Sequence, residues 1–233
     1  MRINKYLALQ QYASRREADT LVEQGKVFIN GRKAVLGDQV EPDDVVDVRG
    51  AQSKKRVYYL YHKPRGVVTI NAQEGEKEIS DITSFPESVY PVGRLDKESE
   101  GLLLFTNDGR VADALLRPEN HHEKEYAVEV HKPITHAFLT RMQHGVDIGA
   151  VGKTKHYITK PALVRCIKPH SFEIVLTEGK NRQIRRACAA LGYEVKKLKR
   201  FRIQNLELGK LRKGEFRELN GDELVQFLTQ LGL

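Results

Sequence analysis

An arginine and an aspartate two residues apart, Arg94 and Asp96, stand in the stretch GRLDKESEGLLLFTNDG that runs from Gly93 to Gly109. Asp96 falls in a polar loop just before the apolar run Leu102 to Phe105, which reads as a strand buried on both faces and stopped by Asn-Asp-Gly. A carboxylate held by rigid structure at the start of a strand can act as a base or a nucleophile. The same residues also suit a surface loop carrying a structural Arg94–Asp96 pair. Both readings stay open on the stretch alone.

A second set of candidates lies on the helix expected over Arg182 to Leu191, where Ile184, Ala187, Cys188 and Leu191 fall at i, i+3, i+4 and i+7. At about 100° per residue, Arg185 sits about 100° from Ile184, and Arg182 and Arg186 about 160° round on either side. Arg185 therefore flanks the buried stripe and can reach inward, while Arg182 and Arg186 turn to solvent or to phosphate. An inward arginine needs a partner. Asp96 is one candidate; Glu178 or a backbone carbonyl is the other. Tyr126, in the alternating run Glu125 to Val130, reads by itself as a packing aromatic on an edge strand. His121 and His122 have no third ligand at metal spacing, so exposure or a nucleic-acid contact is expected rather than a metal. No phosphate-loop or dinucleotide glycine pattern is present, and no cofactor is expected.

The elements that must position these groups divide the chain. Residues 1 to about 49 read as a small unit. It has a helix through Ile3, Tyr6 and Leu7, and a second helix opened by the capping box Ser14 to Glu17 and stopped at Gly25. A strand over Lys26 to Asn30 turns at Asn30-Gly31, and a strand through Val45, Val46 and Val48 closes the unit. Arg15 and Arg16 oppose the dipole of their helix by about 0.3–1 kcal/mol, and a phosphate near that end would favour them. Solvated arginines are the alternative.

Residues 50–56 read as a polar, basic linker. From 57 onward come strands at Val57 to Tyr61 and, after a His62 to Gly66 turn, Val67 to Ile70. A short element is expected at Ile79 to Ile82, a helix capped by Asn107-Asp108 and ended by Pro118, and a helix over Ile134 to Met142. A strand pair follows at Leu163 to Ile167 and Phe172 to Leu176. The strand Tyr193 to Ile203 has a basic outer face, and a closing helix covers Asp222 to Leu231. Scattered helices among antiparallel strands argue for an α+β fold.

With 233 residues, 40% of them hydrophobic and 30% charged, the chain suits a soluble globular protein. No apolar run approaches the roughly 20 residues of a membrane span, and the N-terminal segment lacks a signal-peptide pattern. Net charge is +8. Glu178 to Arg217 holds 13 lysines and arginines against 4 acids, an excess of nine. So uneven a distribution points to an anionic partner, nucleic acid above all. The two cysteines, Cys166 and Cys188, form no disulfide framework. Both are expected to pack as small hydrophobes in a reducing cytoplasm.

RINKYLALQQYASRREADTLVEQGKVFINGRKA resembles the small RNA-binding domain first described in ribosomal protein S-four. GRLDKESEGLLLFTNDG resembles the signature of the RsuA-type bacterial pseudouridine synthases, which isomerise uridine in ribosomal RNA. Lys124-Glu125-Tyr126 matches that family's Lys-x-Tyr, Glu178 to Arg186 its Glu-Gly-x-x-Arg-Gln-Ile-Arg-Arg, and Lys63 to Gly66 its Lys-Pro-x-Gly turn. The resemblance spans essentially the whole chain.

It implies an S-four-like α/β domain over 1–49, a linker over 50–56, and over 57–233 a catalytic domain built on a mixed, mainly antiparallel sheet flanked by helices. It implies Asp96 as the catalytic carboxylate, acting as nucleophile or as base, Tyr126 stacked under the target base and poised for the late proton abstraction from carbon 5, and Arg185 holding the Asp96 carboxylate. RNA contacts are expected from Arg2, Lys5, Arg15, Arg16, Lys26, Arg94, Arg182, Arg186, Lys197 and Arg200. The run from Asn181 onward looks most like the F-type branch, which implies a 23S ribosomal RNA target. Small-subunit 16S RNA or tRNA, or a non-catalytic ribosome-assembly role, are the alternatives. No metal and no cofactor are implied, and a monomer is expected.

Overall fold

A computed structural model describes residues 1–50 and 54–233; three residues of the expected linker, 51–53, lie outside the described residues. The front unit opens with α1 (Ile3–Leu9) and α2 (Arg15–Glu23). The capping box on α2 is formed, with Glu17 N donating to Ser14 Oγ and Ser14 N to Glu17 Oε2. The strands β1 (Val27–Ile29), β2 (Arg32–Lys33) and β3 (Val46–Val48) make a sheet of order β2-β1-β3. Asn30 and Gly31 both have positive φ, 50° and 80°, which gives the tight hairpin its hand. Ile3, Leu7, Ala18, Val22, Val27 and Ile29 form this unit's own core.

The large unit begins with β4 (Tyr58–Lys63), β5 (Tyr90–Val92) and β6 (Glu100–Thr106), followed by α3 (Gly109–Leu116). Next come β7 (Lys124–Val130), α4 (His136–His144), β8 (Leu163–Lys168), β9 (Ser171–Leu176) and α5 (Gln183–Ala190). β10 (Val195–Ile203), β11 (Leu206–Glu207), β12 (Phe216–Glu218) and α6 (Gly221–Gln230) complete it. The main sheet has nine strands in the order β12-β4-β6-β10-β7-β9-β8, with β5 on β6 and β11 on β10. Among the described residues one pair, β6 with β10, is parallel and the rest are antiparallel. The fold is α+β, as expected.

Leu102 to Phe105 are buried on both faces. Leu102 and Leu104 pack with α3 and α6 through Val111, Leu115 and Phe227, and Leu103 and Phe105 pack with Tyr59, Tyr61 and Phe85 on the other side. Each such side chain contributes roughly 1.5–3 kcal/mol, so this strand is a rigid base for the loop that precedes it.

The seam between β6 and β10 depends on Gly101. Its φ is +116°, and a Cβ there would fall 2.0 Å from Arg200 O. Only glycine allows the two backbones to approach so closely.

Three expectations fail here. Val67 to Ile70 form no strand; Val68 makes a lone bridge to Glu78, and β4 pairs with β6 and β12 instead. The expected turn at His62 begins later, because β4 runs on through Lys63. Cys188 is buried, but Cys166 is exposed on the edge strand β8. On this edge strand only Val164 is buried, and Cys166, two residues further along the same face towards the turn into β9, lies beyond the cover of the core.

The two units touch through α1, whose Lys5 ion-pairs with Asp113 on α3 at 3.0 Å. Gln11 Nε2 donates to Asn107 O at 3.1 Å, and Arg56 reaches Leu9 O and the buried Asp108.

Candidate active site

Asp96 lies four residues before β6, half-buried, on the wall of a cleft of about 500 Å³. Its loop is gripped from three directions. Thr69 Oγ1 donates to Leu95 O at 2.7 Å and accepts from Leu95 N at 3.1 Å. From the end of β4, the buried Lys63 ammonium donates to Asp96 O, Ser99 O and Pro64 O at 3.2, 2.9 and 3.0 Å, and Gly66 N donates to Lys97 O at 2.7 Å. From α5, Arg185 Nη2 donates to Glu98 O at 2.7 Å and Ser99 Oγ at 3.2 Å, and Nη1 to Val195 O at 3.3 Å. The backbone around Asp96 is thereby fixed while its carboxylate is left free of protein partners among the described residues. Such an arrangement suits a group that must meet a substrate rather than a structural partner.

Arg185 reaches inward as its helical position requires, but it takes the backbone alternative. It holds the carbonyl of Glu98 and the hydroxyl of Ser99, not the Asp96 carboxylate. Glu178 is not its partner either. That buried carboxylate accepts from Tyr157 Oη at 2.5 Å, Lys160 N at 2.9 Å and Gln183 Nε2 at 2.8 Å. Burial and then the neighbouring Arg182 lower the Arg185 pKa, and the charges of Asp96 and Glu98 offset part of that. Burial also pushes the Lys63 ammonium down to about 8, against the pull of Asp96, Glu98 and Glu100. Asp96 therefore sits in the field of two cations, the buried Lys63 and the half-buried Arg185, that are bonded to its loop rather than to itself.

The opposite wall comes from the sheet. Tyr126 on β7, only 9% exposed, lines the cleft, and Arg200 on β10 pairs with it across the strands and with Gly101 on the other side. One row of the sheet thus links the Asp96 strand to Tyr126. A bulge between Arg200 and Arg202 shifts the alternation of β10, so that Leu198, Arg200 and then Ile203 all face the cleft.

Arg94 and Arg182 are exposed at the cleft. Arg182 holds a left-handed backbone, φ 50°, at the N-cap of α5. A non-glycine residue in that region costs about 1–2 kcal/mol. The strain is offset by Gln183, which bonds both Lys180 N and Glu178.

The expected RNA-contacting cations separate into groups. Arg94, Arg182 and Arg200 share the cleft with Asp96. Arg2, Arg15, Arg16 and Lys26 are exposed on the front unit. Arg186 does not point to solvent. Its Nη2 donates to the carbonyls of Ile148 and Ala150 and so ties down the ribbon that follows α4. Arg200 is buried, at 4% exposure, because the bulge turns it inward. Lys5 and Lys197 are engaged with Asp113 and Glu129. The basic outer face expected along β10 is largely neutralised: Lys196 pairs with Glu194 and Arg202 with Glu123 and Glu125.

His122 is buried and His121 exposed, and among the described residues no cluster of metal-ligating side chains occurs. Lys63, read from the sequence only as the start of the Lys-Pro-x-Gly turn, and Thr69 are the side chains holding the Asp96 loop to which sequence reading gave no role. A lysine ending the apolar run Tyr58 to Tyr61 just before Pro64 was the available signal for Lys63. Thr69 carried none.

Comparison with known proteins agrees with this architecture. The RNA pseudouridylate synthase family profile matches residues 57–190, and the S4 domain profile matches residues 1–46. The dual-specificity RNA pseudouridine synthase RluF of Escherichia coli (strain K12) is 45% identical over 97% of this chain and 77% of its own length. Ribosomal large subunit pseudouridine synthase B of Bacillus subtilis (strain 168) is 36% identical over 96% of this chain and 93% of its own. A crystal structure of a pseudouridylate synthase superposes with a TM-score of 0.70 at 26% identity, covering 99% of both chains. No helix among the described residues is long and apolar enough to cross a membrane.

Proposed function

The chain belongs to the RNA pseudouridylate synthase family, and from that premise we propose that it isomerises a uridine of large-subunit 23S ribosomal RNA in the cleft that holds Asp96. The observation carrying this reading is the Asp96 loop itself, clamped by Lys63, Thr69 and Arg185 with its carboxylate free towards a cleft that Tyr126 also lines. A relative named for the large ribosomal subunit, similar over nearly its full length, supports the target. A relative named as dual-specificity makes a second RNA, a tRNA, the reading to test beside it.

In this proposal residues 1–49 hold the RNA, 50–56 join the units and 57–233 do the chemistry. Arg15, Arg16 and Lys26 on the front unit and Arg94 and Arg182 at the cleft take backbone phosphates. The target uridine leaves its stack to enter the cleft. Asp96 starts the reaction by attacking C1′ or by taking the C2′ proton. By either route the N1–C1′ bond breaks and its electron pair departs with the uracil. The base turns, C5 bonds to C1′ as Asp96 leaves that carbon or returns the C2′ proton, and the C5 proton is then removed with Tyr126 stacked at the base while N1 takes up a proton. Arg185 and Lys63 are positioning residues that keep the Asp96 loop at one height above the sheet.

The test has two parts. RNA labelled with tritium at C5 of uridine should release label with the wild-type protein, and Asp96→Asn should abolish release. Near wild-type release from Asp96→Asn would sink the role of Asp96. Mapping pseudouridines in ribosomal RNA and tRNA from cells lacking this protein should show a 23S site lost. Loss confined to 16S RNA or tRNA would overturn the target.

A further inference from the structure

The cleft contains two cations that the mechanism above does not use. Arg200 is 4% exposed, its Nε donates to Leu102 O at 2.8 Å, and its Nη2 is buried with no partner. Lys124 is two residues from Tyr126 on the same face of β7, lines the same cleft, and has one protein acceptor, His122 O at 3.2 Å. Neither forms an ion pair among the described residues. The nearest acids along β7, Glu123 and Glu125, are bound by Arg202 at 2.9 and 2.6 Å. Burial, then the like charge of Arg200, pushes the Lys124 ammonium down to about 8. Two sequestered like charges without a counter-ion are costly, and a fold that keeps both facing a cavity is built for an anion to arrive there.

We propose that Lys124 and Arg200 form the electrostatic cradle for the detached uracil anion, donating to its carbonyl oxygens between cleavage of N1–C1′ and formation of C5–C1′. When the glycosidic bond breaks, the bonding pair stays on the uracil and its charge spreads over N1, O2 and O4. No proton is needed to complete that step. The two cations hold the base in the cleft while it turns. The pair is returned and the base becomes neutral when C5 bonds to C1′; the proton then lost from C5 is replaced by one taken up at N1. Fixed donors aimed at charge that exists only after bond breaking stabilise that step selectively. A phosphate is the less suitable anion, because Arg200 is buried while Arg94 and Arg182 stand exposed at the same cleft. The inference rests on the Asp96 cleft being the reaction site.

The experiment is single-turnover kinetics on whichever RNA the wild-type protein modifies, comparing uridine with 5-fluorouridine at the target and following loss of the original nucleoside from nuclease digests. Fluorine makes the departing base more acidic, so it needs less help to leave. Lys124→Met should lower the saturating rate on uridine ~10²-fold, with RNA affinity within about three-fold and an unchanged salt slope. The loss should shrink several-fold on 5-fluorouridine, and Lys124→Arg, which keeps the charge, should recover most of the rate. Arg200→Lys, with thermal unfolding measured alongside, should behave as the milder partner.

A Lys124→Met protein with weakened affinity, a salt slope smaller by about one and an intact saturating rate would mean a phosphate contact and overturn the proposal. So would equal losses on the two substrates. Asp96→Asn runs in parallel: if it keeps its rate, the reading of the cleft has failed. If it is dead while Lys124→Met is normal, only the cradle has.

Discussion

Replacing Gly101 by alanine tests how the Asp96 loop is joined to the rest of the site. At φ +116° the backbone lies outside the regions open to side chains, and the new Cβ would meet Arg200 O at 2.0 Å, Arg200 N at 2.7 Å and Arg200 C at 2.8 Å. All three are backbone atoms, so no rotamer change relieves the contact. β6 must move off β10 or both strands must distort. Backbone strain of this kind costs about 1–3 kcal/mol, and loss of the short parallel pairing of Glu100 and Gly101 with Lys199 and Arg200 adds about 1–2 kcal/mol. The expected loss, roughly 2–5 kcal/mol, is survivable for a domain whose total is about 5–15 kcal/mol.

Activity should suffer more than stability. The same seam sets the distance from the Asp96 loop to Tyr126 and Arg200, and a 1 Å displacement can cost ~10²-fold in rate. Urea unfolding with tritium release from C5-labelled RNA measures both. Gly214→Ala is the control: its φ is +83° with open space around the site, so it carries backbone strain without the collision. A Gly101→Ala protein matching Gly214→Ala in urea midpoint and turning over within two-fold of wild type would refute the close-approach argument.

Lys63→Met should separate stability from activity. Sparing the burial of an ammonium shifted to about 8 recovers about 3 kcal/mol, close to what Pro64 O and Ser99 O, left without donors, lose at about 1–2 kcal/mol each, while Asp96 O keeps Ser99 N. The unfolding free energy should thus move by no more than about 2 kcal/mol while tritium release falls ~10²-fold; wild-type turnover would contradict the clamp. Arg185→Lys keeps the charge but cannot bridge Glu98 O, Ser99 Oγ and Val195 O together, so turnover should drop ~10–30-fold at unchanged RNA affinity. Full activity in that variant would mean that charge alone suffices.

Asp108 is fully buried, which by itself would raise its carboxyl. Hydrogen bonds from Arg110 and Tyr58 outweigh burial and hold it below the usual 3.8. Its contribution to stability is therefore complete above the unfolded-state value and lost as pH falls through the lower folded one. Asp108→Asn should cost about 3–5 kcal/mol at pH 7, and the two unfolding curves should converge in acid; parallel curves down to pH 2 would refute the linkage. RNA affinity should fall with salt at a log–log slope of about −3.5 to −4.5 if Arg15, Arg16, Lys26, Arg94 and Arg182 each meet a phosphate, and a slope near zero would remove that set.

Local chemistry in the sequence was enough for most elements and made Asp96 a candidate. The capping box at Ser14 and Glu17, the Asn30-Gly31 hairpin, the doubly buried Leu102 to Phe105 and the amphipathic α5 all rest on contacts a few residues apart or on periodicity, and they are read from the chain without knowing its fold. Asp96 was legible in this way only as one of two readings, a carboxylate in a short loop before a buried strand, and the family resemblance singled it out; the inward reach of Arg185 followed from its angle on the helix.

What Arg185 reaches was decided in three dimensions. A helical wheel gives direction but not the height of a loop 87 residues away in sequence, so it could not separate a carboxylate from a carbonyl. The same limit hid Lys63, whose acceptors lie up to 36 residues along the chain. It also hid the inward turn of Arg200, which depends on a bulge set by pairing with β7. Which cations stay free for RNA likewise depended on cross-strand neighbours, such as Glu129 beside Lys197, that only the registered sheet brings together. Short-range propensity belongs to the sequence alone; strand register and packing distance arise from the whole chain folding at once, and the partners of the charged groups follow from them.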